Sequence, residues 1–411
     1  MPRGQLTRGQ LTRRLLLAAA PAGLTLAACT REAPPAPSAT PTPRPPAAPE
    51  KVGKQGETVD PTTVRLPLEM TTQILVKPGW TARPLQLDGI FLGHEETAEG
   101  ITLRAIREDG TVLWTAKRPA TCTGYAVSPS DKGPVAILAD AMTSGKALAR
   151  VAVTAYSLDG GEQLWGPVPV PGPQAAPGLV FAQPSKEPMG RGGPRVALEA
   201  GTGKVLVEES ALKGGQILAE HLGTVLHTQG ENLVAVGAGQ KELWRVPLPQ
   251  GIAAEKAHVP MTPDTTAPFM LLRGDGAAGA LISLSDGAVL AEGVTQAAID
   301  HEAETTVVTS GRTVRGIQAD GEDPWAHEDP EELQLISAGG RLAYAARPEE
   351  KTLVVLDSLQ GLMVQPFDVD TKGPLGIPEV FTAEGGACVR VGADRVLVTT
   401  TLDENYGIRT R

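Results

Sequence analysis

Three short polar clusters hold the side chains best suited to chemistry in this chain: His94-Glu95-Glu96, Asp300-His301-Glu302 and His327-Glu328-Asp329. Imidazole and carboxylate groups ligate metals, and loops far apart in sequence can converge on one site. Adjacent residues on a strand or turn point in different directions, so each triplet offers at most one or two ligands. The expectation is therefore solvated loops and no metal centre. Nucleophilic catalysis finds no support either: Gly-x-Ser-x-Gly and His-Glu-x-x-His are both missing, and no glycine-rich loop opens a helix to cradle phosphate. The acidic pairs fall in turns without a recurring partner. On these grounds the chain is expected not to be an enzyme and to need no cofactor.

Three cysteines remain as reactive groups. Cys29 directly follows Leu26-Ala27-Ala28 at the end of an apolar run that begins at Leu15, behind Arg13 and Arg14. A basic stretch, a short apolar segment and small residues before a cleavage point are the parts of an export signal, and a cysteine just after them is an acceptor for lipid. The sequence L-A-A-C resembles a bacterial lipobox, which implies a diacylated Cys29 as the first mature residue. Thr12-Arg13-Arg14-Leu15-Leu16 resembles the core of a twin-arginine signal, which implies export after folding. About fourteen apolar residues interrupted by Pro21 fall short of the roughly 20 that cross a bilayer as a helix. Residues 1–28 are thus read as a cleaved signal, with the mature chain lipid-anchored at the extracytoplasmic face of a membrane. Cys122 and Cys388 each open a β-rich run, TCTGYAVSP and ACVRVGADR, and an exported location permits a disulfide between them. The alternative is two buried free thiols.

From Arg31 to Glu50 proline is too dense for helix or sheet, so residues 29–60 are read as the lipidated cysteine plus a disordered tether. Loss of the signal takes four of the 37 basic residues and none of the 47 acidic ones, moving the net charge from −10 to about −14. Such a surface repels nucleic acid and anionic lipid, which excludes both as partners.

Residues 61–411 carry an internal repeat. Glycine stands four residues before tryptophan at Gly110 and Trp114, Gly161 and Trp165, and Gly321 and Trp325. The same frame recurs at Gly203 with Val207, Gly287 with Ala291 and Gly361 with Gln365, and an out-of-phase copy has Gly239 and Trp244. Successive tryptophan positions lie about 42 residues apart, the period of a propeller blade. Asp-Gly supplies the positive φ of a tight turn, and the next strand carries a large apolar residue towards a neighbouring sheet. The runs before these turns, such as ITLRAIRED and ALISLSD, alternate apolar and polar residues as half-buried strands do. The fold class is therefore all-β: a propeller of four-stranded antiparallel blades, eight in number, with seven the alternative. The last segment, residues 387–401, lacks an outer unit, and residues 62–76 are expected to supply it by pairing the two chain ends.

This degenerate A-x-D-x-x-T-G-x-x-x-W frame resembles the tryptophan-docking repeat of quinoprotein-like (pyrroloquinoline-quinone-like) β-propellers. With the lipobox and proline stalk, it looks like an actinobacterial lipoprotein of that type. Enzymes of that superfamily hold the quinone with a vicinal disulfide, a tryptophan floor and a bound ion. The chain has no Cys-Cys pair, and most of its five tryptophans are used by the blade frame. The expected function is a monomeric, non-catalytic binding scaffold or accessory factor for a protein or cell-envelope partner. The alternatives are a small-molecule or glycan receptor at the channel mouth and a degenerate quinoprotein dehydrogenase.

Overall fold

The computed structural model describes residues 47–399 apart from 71–72, 120–121, 143–149, 186–191, 262–264, 319–323, 368–369 and 371. The expected signal residues Arg13, Arg14, Leu26, Ala27 and Ala28, the expected lipid acceptor Cys29, and Gly321 of the repeat lie outside the described residues.

Turns of positive φ punctuate the sequence every ten residues or so, each followed by a run of half-buried alternation, and the product is a series of antiparallel sheets arranged as an eight-bladed β-propeller. Blade 1 runs from Leu85–Leu87 on the inside to Thr111–Arg118 on the outside. Blade 2 runs from Cys122–Ser128 to Gln163–Val170, blade 3 from Gln174–Ala176 to Val205–Glu208, and blade 4 from Ile217–His221 to Lys241–Pro247. In blade 5 the innermost strand is reduced to a bridge between His258 and Arg273, inside Phe269–Arg273, Gly279–Ser283 and Val289–Val294. Blade 6 runs from Gln296–Asp300 to Trp325–Glu328. Blade 7 comprises Gln334–Gly339, Leu342–Arg347 and Thr352–Asp357, its outer strand reduced to a bridge between Leu356 and Met363.

Blade 8 joins the two ends of the chain. Gly376–Phe381, Ala387–Val391 and Asp394–Val398 form its inner part, and Leu75–Lys77 and Glu57–Val59 pair successively on its outer edge. Of the described residues within 62–76, the segment expected to close the ring, only Leu75 and Val76 enter the ladder. Residues 61–70 instead turn twice as short 3₁₀ segments and drive Val64, Leu66 and Met70 into a core shared with Tyr344, Phe367, Phe381 and Val389. The expected tether boundary at residue 60 is corrected as well: Glu50–Gln55 is a strand on the outer edge of blade 1, paired with Thr111–Arg118. Its side chains are almost all exposed, so pairing with a free sheet edge orders it, and hydrophobic patterning carries no trace of that.

The repeat works across seams. Trp114 Nε1 donates to Leu158 O of the next blade at 2.8 Å, Trp165 to Ala200 O at 2.7 Å, Trp244 to Leu284 O at 2.8 Å and Trp325 to Ser358 O at 2.8 Å. Each acceptor lies three residues before Gly161, Gly203, Gly287 or Gly361, and a Cβ on that glycine would meet the incoming indole at 3.0, 2.5, 2.7 and 2.4 Å respectively. The motif thus joins one blade's outer strand to the following blade's turn, satisfying the buried indole N–H while the ring fills the seam. Gly110 receives no tryptophan. At the closing seam Val76 and Gln55 lie against it, supplied by the N-terminal strands.

Candidate functional site

Each of the three polar triplets is divided by its own backbone. His94 Nδ1 lies 3.0 Å from the Tyr125 hydroxyl, while Glu95 pairs with Arg104 at 2.7 Å. Burial holds the His94 imidazole below its ordinary pKa. Asp300 is fully buried and accepts from the N–H groups of Glu302 and Ala303, both at 3.1 Å. His301 Nε2 sits 3.2 Å from Thr266 Oγ1, and Glu302 pairs with Arg341 at 2.8 Å. Asp329 is clamped by Arg347 through two bonds of 2.9 and 2.8 Å, which holds its carboxyl below the usual range. His327 is 3.7 Å from the same carboxylate. Among the described residues no three metal-ligating side chains converge.

Cys122 and Cys388 are both free thiols, which corrects the expected disulfide. The reason is the strand order. Cys122 opens the inner strand of blade 2, but Cys388 lies on the second strand of blade 8, fully buried among Val76, Phe91, Val380 and Leu397. Burial raises the Cys122 thiol to about 11 and pushes that of Cys388 up further, so both stay protonated and unreactive at neutral pH.

The channel lining offers the more informative geometry. Five inner strands carry an extra residue at the same register break: Thr123, Ala175, Leu218, Ile336 and Glu379. Bulges of this kind re-aim a side chain, and the only charged one in the set is Glu379. Its carboxylate is held between Arg390 Nε and Arg395 Nε, each at 2.9 Å, from the next two strands of blade 8. Arg395 also donates to Thr81 O at 2.9 Å, tying this clamp to the chain leading into blade 1. On blade 4, Glu220 is sealed from solvent and accepts from Ser128 Oγ, Leu179 N and Gly223 N, spanning blades 2, 3 and 4; burial raises its carboxyl.

Across the ring, Gln86 on the inner strand of blade 1 bonds Thr265 of blade 5, through its N–H to Thr265 Oγ1 at 3.2 Å and its carbonyl from the same hydroxyl. Blade 5 can reach over because its own innermost strand is reduced to one bridge. His221 from blade 4 and His301 from blade 6 brace this crossing, His221 Nε2 lying 2.7 Å from Ala267 O. Sequence reasoning missed Glu379, Arg395, Gln86 and Thr265. A lone acid in the apolar run GIPEVF was the one available signal, since unpaired acids are almost never fully buried.

The fold and this lining define a closed eight-bladed β-propeller with a bridged channel. No protein-family model matches the chain, and no curated protein does. Among solved structures it is similar to BamB from Moraxella catarrhalis, at 14% identity and a TM-score of 0.47 over 79% of this chain and 97% of that one. The computationally designed Ika8 protein matches at 11% identity and a TM-score of 0.41 over 82% and 99% of the two chains. Apo AztD from Citrobacter koseri matches at 10% identity and a TM-score of 0.36 over 69% and 95%. The propeller itself is defined by the strand pairing described above.

Proposed function

We propose that this chain is a non-catalytic lipoprotein, tethered through Cys29 at the extracytoplasmic face of a membrane, whose propeller is a binding platform for a protein or cell-envelope partner. The observation that carries the reading is an apolar group on the rim of blade 7. There Leu362 and Met363 are 60% and 56% exposed beside the reduced outer strand, and Leu68, also 56% exposed, donates its N–H to Pro366 O nearby. Large apolar side chains gathered at one place on a monomer surface mark contact sites. The channel supports the non-catalytic part of the reading: both oxygens of Glu379 and of Glu220 are engaged by fixed donors of the protein itself. A group so engaged is poorly placed to exchange protons with a substrate.

The test is a photocrosslinker at Leu362 in living cells, followed by affinity purification of the mature lipoprotein. One recurrent partner, missing when the crosslinker stands at exposed Lys132 on blade 2, is the expected result. Equal products from both positions, or none from Leu362, would refute the platform.

A second reading, a small-molecule receptor, is favoured by a cavity of about 200 Å³ on the side of the ring formed by blades 5, 6 and 7.

A further inference from the structure

That cavity has apolar walls, including Met261, Phe269, Leu335 and Ile336. Two guanidinium groups reach it: Arg83 from the approach to blade 1 and Arg273 from the end of a blade 5 strand. Although the chain has 47 acidic residues against 37 basic ones, none of the described residues lining the cavity is a carboxylate. Arg83 Nη1 is directed onto Ile336 O at 3.1 Å. Arg273 donates from Nη2 to Thr295 O, and its buried Nε–H has no partner among the described residues. Partial burial lowers the pKa of this guanidinium, and no anion acts in the opposite direction. A cation partly withdrawn from water, with no counter-ion among the described residues, is held at a cost that an anionic ligand would relieve.

We propose that this cavity binds an apolar chain ending in a carboxylate, with the carboxylate on Arg273 and the chain against Met261, Phe269 and Leu335. Arginine suits the role because its planar fork matches a carboxylate, and the Nε–H and the rest of the guanidinium edge can form charge-assisted bonds with its oxygens. The walls discriminate against a fully polar anion such as phosphate, which would exchange its hydration for hydrocarbon. A free carboxylic acid and the C-terminus of a hydrophobic peptide present the same chemistry. The site is separate from the rim of blade 7, so a partner bound there and a ligand bound here stand or fall independently.

The experiment is calorimetric titration of the intact protein with octanoate, octanol, and a short peptide ending in leucine with either a free or an amidated C-terminus. Octanoate should saturate one site and octanol should bind at least about tenfold more weakly, the loss of one charge-assisted bond. The free-acid peptide should likewise exceed its amide, and whichever of octanoate and peptide binds more tightly identifies the source of the carboxylate. Arg273→Gln should abolish the preference for octanoate over octanol while leaving the melting temperature near that of the parent. If that variant fails to fold, the octanoate and octanol comparison on the unaltered protein still decides. Equal affinity for octanoate and octanol, no saturable binding of octanoate or peptide, or an Arg273→Gln variant that keeps the preference would each overturn the proposal.

Discussion

Replacing Gly361 with alanine probes the contact that joins the blades, and Gly239 supplies its control. Both glycines have positive φ, +69° and +67°, so an alanine at either place bears the same left-handed backbone cost, about 1–2 kcal/mol. Alanine also narrows the unfolded ensemble, which returns about 0.4–1 kcal/mol. At Gly239 nothing lies within 4 Å of the new Cβ, so the net loss should be about 1 kcal/mol or less. At Gly361 the Cβ would stand 2.4 Å from Trp325 Cε3, over 1 Å inside ordinary carbon contact. The indole cannot retreat freely, because its Nε1 is fixed on Ser358 O at 2.8 Å and the ring is buried in the seam. Overpacking of this kind costs about 1–3 kcal/mol more, giving a total of about 1–4 kcal/mol at Gly361. Urea denaturation of the two variants measures the difference directly. A double variant with Trp325→Leu should recover most of the excess, as expected for coupled neighbours. Equal losses at Gly239 and Gly361, or no coupling to Trp325, would show that the tryptophan-to-glycine seam does not hold the ring.

A chain beginning at residue 60 loses only the exposed edge strands Glu50–Gln55 and Glu57–Val59 and should remain folded and monomeric by light scattering. One beginning at Thr81 also loses Val64, Leu66, Met70, Leu75 and Val76, all buried; at about 1.5–3 kcal/mol each this rivals the whole stability of a domain, so it should aggregate. Asp329→Asn should cost about 2–3 kcal/mol near neutral pH by breaking the paired bonds to Arg347. Because that carboxyl is held below its ordinary value of 3.8, its stabilisation is complete above that pH and is lost as pH falls through the lowered folded value. Denaturation at pH 7 and pH 2.5 should therefore show the gap between parent and variant narrowing in acid, and a constant gap would reject the assignment. Cys29→Ala should release the protein from the membrane fraction or leave the precursor unprocessed, as fractionation and mass measurement would show; normal processing with full retention would sink the lipobox reading.

Fold class and repeat length were legible in the sequence because both are local. Positive-φ turns need glycine, half-buried strands alternate, and a tryptophan four residues after the turn marks an outer strand whichever blade receives it. The joining of the chain ends was legible as well, since a terminal blade without an outer unit leaves a sheet edge that must be covered. What the sequence could not reveal was set by contacts between residues far apart along the chain. The polar strand Glu50–Gln55 is ordered by the free edge it meets, and Cys388 is separated from Cys122 by a strand order that appears only once blade 8 is assembled. Glu379 is aimed by a one-residue bulge and neutralised by Arg390 and Arg395, and Gln86 finds Thr265 on another blade, 179 residues away. Periodicity records which face of a strand is buried, whereas the partner of a buried polar group depends on how whole blades are placed around the ring, and only the tertiary structure decides that.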